Sequence, residues 1–217
     1  MNATPEPDRC RLVIIAPAEI GGTTLVQACE GGDVASVVLP RWDRQTEAFQ
    51  AFCEEVAPAL QSRGIAVLVE GDSRVAGRVG ADGIHVEGPA GEVAEAVARA
   101  QGRSMVGANG GRTRHEALEI GEARPDYVFF GRFGYDREPE PHPRNLSLGQ
   151  WWAEMVELPC IVQAGSALSS VAAVAATGAD FVAVSAALFD AGADPREAVA
   201  RINRLLDDEA PRFRNGP

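Results

Sequence analysis

Lysine is absent from this chain, and each of its 20 basic residues is arginine. Without a side-chain amine there is no nucleophile for a Schiff base. The glycine-rich phosphate loop that ends in Lys-Ser or Lys-Thr is excluded as well. Cysteine is scarce and scattered. Cys10, Cys29, Cys53 and Cys160 form no Cys-x-x-Cys pair, which argues for a reduced, cytoplasmic protein and against a structural zinc. Positive charge is short overall. A formal net charge of -11 argues against nucleic acid as a partner, since phosphate binding needs a basic face, and an anionic substrate needs local arginines to offset that field. No apolar run approaches the length of a membrane helix. Residues 1–11 carry no apolar core of a signal peptide and read as a flexible tail, as do residues 208–217.

What remains is one sizeable globular domain, since 46% of 217 residues are hydrophobic. Short apolar runs alternate with segments of helical period. The runs are "LVIIA" (12–16), "ASVVLP" (35–40), "IAVLV" (65–69), "DGIHV" (82–86), "SMVGA" (104–108), "DYVFFG" (126–131), "PCIVQA" (159–164) and "DFVAVSA" (180–186). They are continuous rather than alternating, as in parallel strands buried on both faces. Between them, "TEAFQAFCEEVAPALQSRG" reads as a helix that Pro58 kinks or breaks. "TRHEALEIGEA" opens on a capping box of Thr113 and Glu116, and "DPREAVARINRLLDD" carries Pro195 near its first turn. "GAD" at 80–82 and 178–180, and "RPD" at 124–126, each stand before a strand. The pattern predicts an α/β fold, a single (β/α)8 TIM barrel over residues 12–207. An open doubly wound sheet is the alternative, but "APAEIGG" lacks the glycine fingerprint expected after its first strand.

In such a barrel the reactive face lies at the C-terminal ends of the strands. That rule selects Arg41, Glu70, Glu87, Asn109 with Arg112, Arg132, Gly165 with Ser166, and Ser185 with Ala186. The exits of strands seven and eight, "QAGS" and "VSAA", are small, and barrels often bind phosphate there through backbone N–H groups. The competing reading is a tight helix start capped by Ser166 or Ser169. Glu70 and Glu87 leave adjacent strands and would hold a cation or share a proton, or else lie in solvated loops. Arg41, Arg132 and Arg137 suit phosphate or carboxylate, or pair with nearby acids. Asp72 reads as a helix cap. No two histidines have ligand spacing, so no metal site is expected among them. Trp151 and Trp152 read as opening a helix, and neighbours there cannot both face one core. One of them exposed would suit a homo-oligomer or partner contact, and the alternative is one core Trp with the other lying along the neighbouring loop.

The segments "GADGIHV", "PDYVFFGRF", "PCIVQAG" and "ATGADFVAVSAALF" resemble the thiamin phosphate synthase and thiazole tautomerase superfamily, from Leu12 to about Leu205. The resemblance implies the same barrel. It also implies chemistry that joins a pyrimidine pyrophosphate to a thiazole phosphate with magnesium. The site motifs depart from that pattern. Where the synthase has Q-x-R-x-K, "LPRWD" keeps Arg41 alone. Its two magnesium aspartates fall on Gly71 and Ala90, and its S-x-H becomes "NGG" from Asn109. Its G-P-x-F-x-T-x-T-K becomes "GRFGYDRE", with Tyr135, Arg137 and Glu138 in place of the pyrophosphate donors. The tautomerase histidine falls near Arg132, which is always charged and cannot serve as a base. Two expectations follow. One is a barrel that binds a small phosphorylated, thiazole phosphate-like molecule at Gly165, Ser166, Ser185 and Ala186, with a mouth rebuilt from Arg132, Asn109, Glu70 and Glu87. The other is a catalytically silent barrel that binds a ligand or a protein partner. No cofactor is certain on either, and magnesium is possible only without the family ligands.

Overall fold

The computed structural model describes residues 7–189, 192 and 194–213. Eight parallel strands close into a barrel in chain order: β1 (Arg11–Ile15), β2 (Ser36–Leu39), β3 (Ala66–Glu70), β4 (Gly83–Val86), β5 (Met105–Asn109), β6 (Tyr127–Phe130), β7 (Cys160–Gln163) and β8 (Phe181–Val184). The helices are α1 (Gly22–Ala28), α2 (Thr46–Gln61), α3 (Ser73–Val79), α4 (Ala90–Ala100), α5 (Arg114–Glu122), α6 (Pro143–Met155), α7 (Ser170–Ala175), α8 (Ala186–Phe189) and α9 (Pro195–Glu209). Strand residues are buried almost throughout because each strand faces helices outside and the barrel filling inside.

The aspartates before the even-numbered strands act as clamps at the barrel base. Asp82 accepts the Val67 N–H at 2.8 Å, Asp126 the Val106 N–H at 2.7 Å, and Asp180 the Cys160 N–H at 2.8 Å. Each carboxylate ties its own strand to the start of the preceding one. Asp33 does the same work before β2 through the Arg11 guanidinium, at 2.8 and 3.0 Å. The repeated Asp of "GAD" and "RPD" therefore closes the lower rim pair by pair, and charge-assisted bonds of this kind are the stronger ones.

Inside the barrel Val13, Ile15, Val38, Leu68, Tyr127, Phe129, Ile161 and Ala183 form the filling. Gly107 sits opposite Tyr127 in the β5–β6 register, and a Cβ there would run into the tyrosine ring. A second, larger layer packs strands against helices. Trp152 belongs to it, 1% exposed, with Nε1 donating to Leu158 O at 2.7 Å.

Three expectations change on the structure. Trp151 and Trp152 do not open a helix. That helix, α6, begins at Pro143, whose fixed φ suits a first helical turn. His142 is its cap, with Nδ1 accepting the Arg144 N–H at 3.2 Å. Trp151 is not left bare either, since the Arg114 guanidinium lies 5.0 Å over its ring. Strand eight ends at Val184, so Ala186 already belongs to a short helix. Pro58 stays inside a continuous α2. At the tails, Arg9 is buried and donates to Asp207 and Asn203, and it forms a backbone bridge with Arg212.

Candidate functional site

Because all strands are parallel, every selected strand-end residue arrives at one rim. The β6–α6 connection, residues 131–142, then divides that rim into two unlike halves.

Over the exits of β7 and β8 this loop lies against the rim itself. The Ser166 N–H donates to Glu138 O at 2.8 Å and the Ala167 N–H to Pro139 O at 3.2 Å. The Ser166 hydroxyl donates to Arg137 O at 3.0 Å. Asp136, only 5% exposed, accepts the Ala186 N–H at 2.8 Å. Gly165 has no room for a side chain, because a Cβ would meet the carbonyl oxygens of Glu138 and Pro139. Its own N–H donates to the Ser170 hydroxyl at 3.0 Å. Gly165, Ser166, Ser185 and Ala186 lie at the neighbouring exits of β7 and β8, and the acceptors on the Gly165, Ser166 and Ala186 N–H groups belong to the chain itself. Ser166 caps no helix, and Ser169 makes no side-chain cap bond.

The opposite half is open. A recess of about 540 Å³ is lined by Arg41, Trp42, Glu70, Glu87, Arg132 and Phe133, among others. Glu70 accepts the Arg41 N–H at 2.8 Å. The Arg41 guanidinium turns away, donating to Arg44 O and the Thr46 hydroxyl. Asp72 caps α3 by accepting from the Arg74 and Val75 N–H groups. The Arg132 guanidinium stacks 3.9 Å over the Tyr135 ring. Arg137 stays exposed on the loop. Thr113 accepts the Glu116 N–H, while the Glu116 carboxylate accepts from Arg112 N–H instead of closing the expected box.

A polar chain joins this open half to the barrel interior. The Tyr127 hydroxyl lies 2.9 Å from His85 Nδ1, His85 Nε2 lies 3.0 Å from Glu87, and Asn109 Nδ2 donates to Glu87 at 3.1 Å. His85 is 1% exposed and packs against Phe129 and Phe133. Burial, reinforced by the charges of Glu87 and Asp126, pushes the Tyr127 hydroxyl well above its ordinary pKa. Tyr127 therefore stays protonated and can donate to His85.

These contacts bear on how magnesium would be held. On the family resemblance the two aspartate positions fall on Gly71 and Ala90. The neighbouring Glu70, Asp72 and Glu87 are engaged in the bonds above. Among the described residues no group of three or more His, Cys, Asp or Glu side chains could hold a metal ion. The described residues alone build no closed cage for the ion, which one or two carboxylates together with a ligand's phosphates can hold.

Sequence reasoning missed Asp136, Tyr127 and Gln163 as site residues. Nothing in the local pattern marks Asp136 as buried amid a charged loop. Gln163 carried a signal, a polar residue ending an otherwise apolar strand. No helix among the described residues is long and apolar enough to cross a membrane.

Comparison with known proteins bears on this geometry. The family model for thiamine monophosphate synthase matches residues 12–188. A thiamine-phosphate synthase of Rhodospirillum centenum is 33% identical over 91% of this chain and 98% of its own. One of Hyphomonas neptunium is 32% identical over 96% and 99%. Among solved structures, the thiamine phosphate pyrophosphorylase of Pyrococcus furiosus superposes with a TM-score of 0.78 at 20% identity, covering 93% of this chain and 97% of that one. At that identity it speaks for the fold alone.

Proposed function

Since this chain belongs to the thiamine monophosphate synthase family and so to thiamin metabolism, we propose that it binds a small phosphorylated, thiazole phosphate-like molecule at the exits of β7 and β8. The observation that carries the reading is the Asp136 carboxylate on the Ala186 N–H. That buried donor accepts an anion, and a phosphate is an anion of the same hydrogen-bonding kind. A ligand phosphate takes the place of Asp136 once the 131–142 loop moves off Gly165, Ser166, Ser185 and Ala186.

A second reading is a barrel that binds this ligand without turnover. The glycine and alanine at the family's magnesium positions favour it, because a departing pyrophosphate ordinarily leans on that ion. On the first reading the open half, with Arg132, Asn109, Glu70 and Glu87, supplies the reactive groups. Arg41 contributes its backbone N–H and the placement of Glu70.

The test is a calorimetric titration with thiazole phosphate, with and without magnesium, on the wild type and on Asp136→Ala. Saturable binding that tightens in the variant and does not depend on magnesium is the expected result. Absence of binding in both proteins would sink the ligand assignment. Release of the pyrimidine pyrophosphate's leaving group in a turnover assay would decide against the silent reading.

A further inference from the structure

The outer wall of the barrel exposes apolar surface on two neighbouring helices. Four large hydrophobic side chains are exposed among the described residues, Leu118, Tyr135, Met155 and Phe213. Two of them stand on α5 and α6. Leu118 lies one turn after Arg114, and Met155 one turn after Trp151. The Arg114 guanidinium lies 5.0 Å over the half-buried Trp151 ring, so the two columns run side by side. We propose that this face binds a second copy of the chain, with α5 packed antiparallel on α5 of the partner subunit about a two-fold axis through Leu118.

Beyond the apolar surface, two observations carry the pairing. The first is the order of charge. Arg114, Leu118 and Glu122 are all exposed and recur every four residues, so they form one column on α5. The column reads positive, apolar, negative. An antiparallel two-fold through Leu118 sets Arg114 against Glu122 of the partner subunit, and Glu122 against the partner subunit's Arg114. A parallel pair would set arginine on arginine. Two-fold contacts must be self-complementary, and this column is so only when antiparallel.

The second observation is local. Arg114 is the first residue of α5 and Glu122 the last, so both terminal charges oppose the dipole of their own helix. Among the described residues the Arg114 side chain has only the Trp151 ring, and the Glu122 carboxylate has no ion pair or hydrogen bond. An antiparallel copy answers both charges at once and lays the two dipoles head to tail. Leu118 at the axis and Met155 beside it lose water together, and an apolar centre bordered by charge is the usual anatomy of an interface. Helices of 9 and 13 residues are only about 14 and 20 Å long. The interface therefore belongs at the small end of the range, and the dimer should form and dissociate with concentration. Neither the rim nor the 131–142 loop takes part, so this pairing stands or falls apart from the phosphate reading.

The experiment is sedimentation velocity of the full chain over a concentration series. The wild type is expected to pass from monomer to dimer. Arg114→Glu and Glu122→Arg each set like charges opposite one another, and each should weaken association at least tenfold. Both substitutions suit the helix dipole better than the native residues, so their circular dichroism should remain that of the wild type. Mixed in equal amounts, the two variants should regain wild-type association, because glutamates on one subunit then meet arginines on the other at both ends of the pair. Phe213→Ser, at an exposed aromatic whose N–H bonds to Asp8 O, should leave association unaltered. A wild type that stays monomeric into the submillimolar range overturns the proposal. So does a dimer indifferent to both charge reversals, or a mixture that fails to restore what each variant loses.

Discussion

The two halves of the barrel mouth share one scaffold and differ in who satisfies their polar groups. Over β7 and β8 the chain does so itself, with loop carbonyls on Ser166 and Ala167 and a carboxylate on Ala186. Over β5 and β6, among the described residues, Gln163 Nε2 has no partner, and the guanidiniums of Arg112, Arg132 and Arg144 line one cavity without an ion pair, that of Arg132 stacked on Tyr135. Buried donors are rarely left unmet. On the proposed phosphate site, the half that closes on itself has to open before it binds.

The largest effect should come from stressing the frame that both halves share. Burial pushes the thiols of Cys29, Cys53 and Cys160 up to about 12, with the charge of Asp180 adding to it at Cys160. Unfolded thiols ionise from about 8.5, so between there and pH 12 the native state holds more protons and stability falls as pH rises. Each thiol contributes up to about 1.4 kcal/mol per pH unit in that window. Urea unfolding at pH 7, 9 and 10.5 should show a level stretch and then a steep decline. A flat profile would mean that the thiols are accessible to water.

A smaller effect should fall on the closed half alone. Gly165→Val would drive its side chain into the loop carbonyls. Overpacking of this kind costs about 1–3 kcal/mol. Limited proteolysis should nick residues 131–142 faster than in the wild type, with the far-ultraviolet circular dichroism unchanged. A matching loss of dichroism would show that the whole barrel, and not the closed half alone, depends on this contact.

The smallest effect should be seen in the open half. Glu70→Gln retains an acceptor for the Arg41 N–H, and a partly exposed substitution of this kind usually stays within about 0.5 kcal/mol. A drop of several times that in thermal unfolding would show that the Glu70 charge holds the recess together.

The barrel was legible because its signals are local and repeated. Continuous apolar runs mark strands buried on two faces, and the Asp corners mark strand starts, although their clamp onto the preceding strand is visible only in three dimensions. Rim residues were legible through one topological rule, which found Glu70, Glu87, Asn109, Arg132 and the exits of β7 and β8. The start of α6 was missed, as Pro141, His142 and Pro143 read like loop until His142 is seen capping Arg144. The environment of Asp136 could not be read at all. Its partner, Ala186, lies 50 residues away, and nothing in "GYDRE" says which of its charges turns inward.

By itself the sequence determined the strand and helix alternation, through short-range periodicity, and the absence of lysine amine chemistry, through composition, while the family followed from the resemblance of whole segments. Tertiary structure alone decided that a buried carboxylate sits on the β8 exit, that Glu87 is committed to His85 and Asn109, and that Arg112, Arg132 and Arg144 share one cavity. The physical reason is closure of the barrel. Hydrophobic burial selects the fold from many weak and redundant signals, whereas a hydrogen bond depends on two particular atoms within about 3 Å, and only the closed sheet brings residues from distant strands that near.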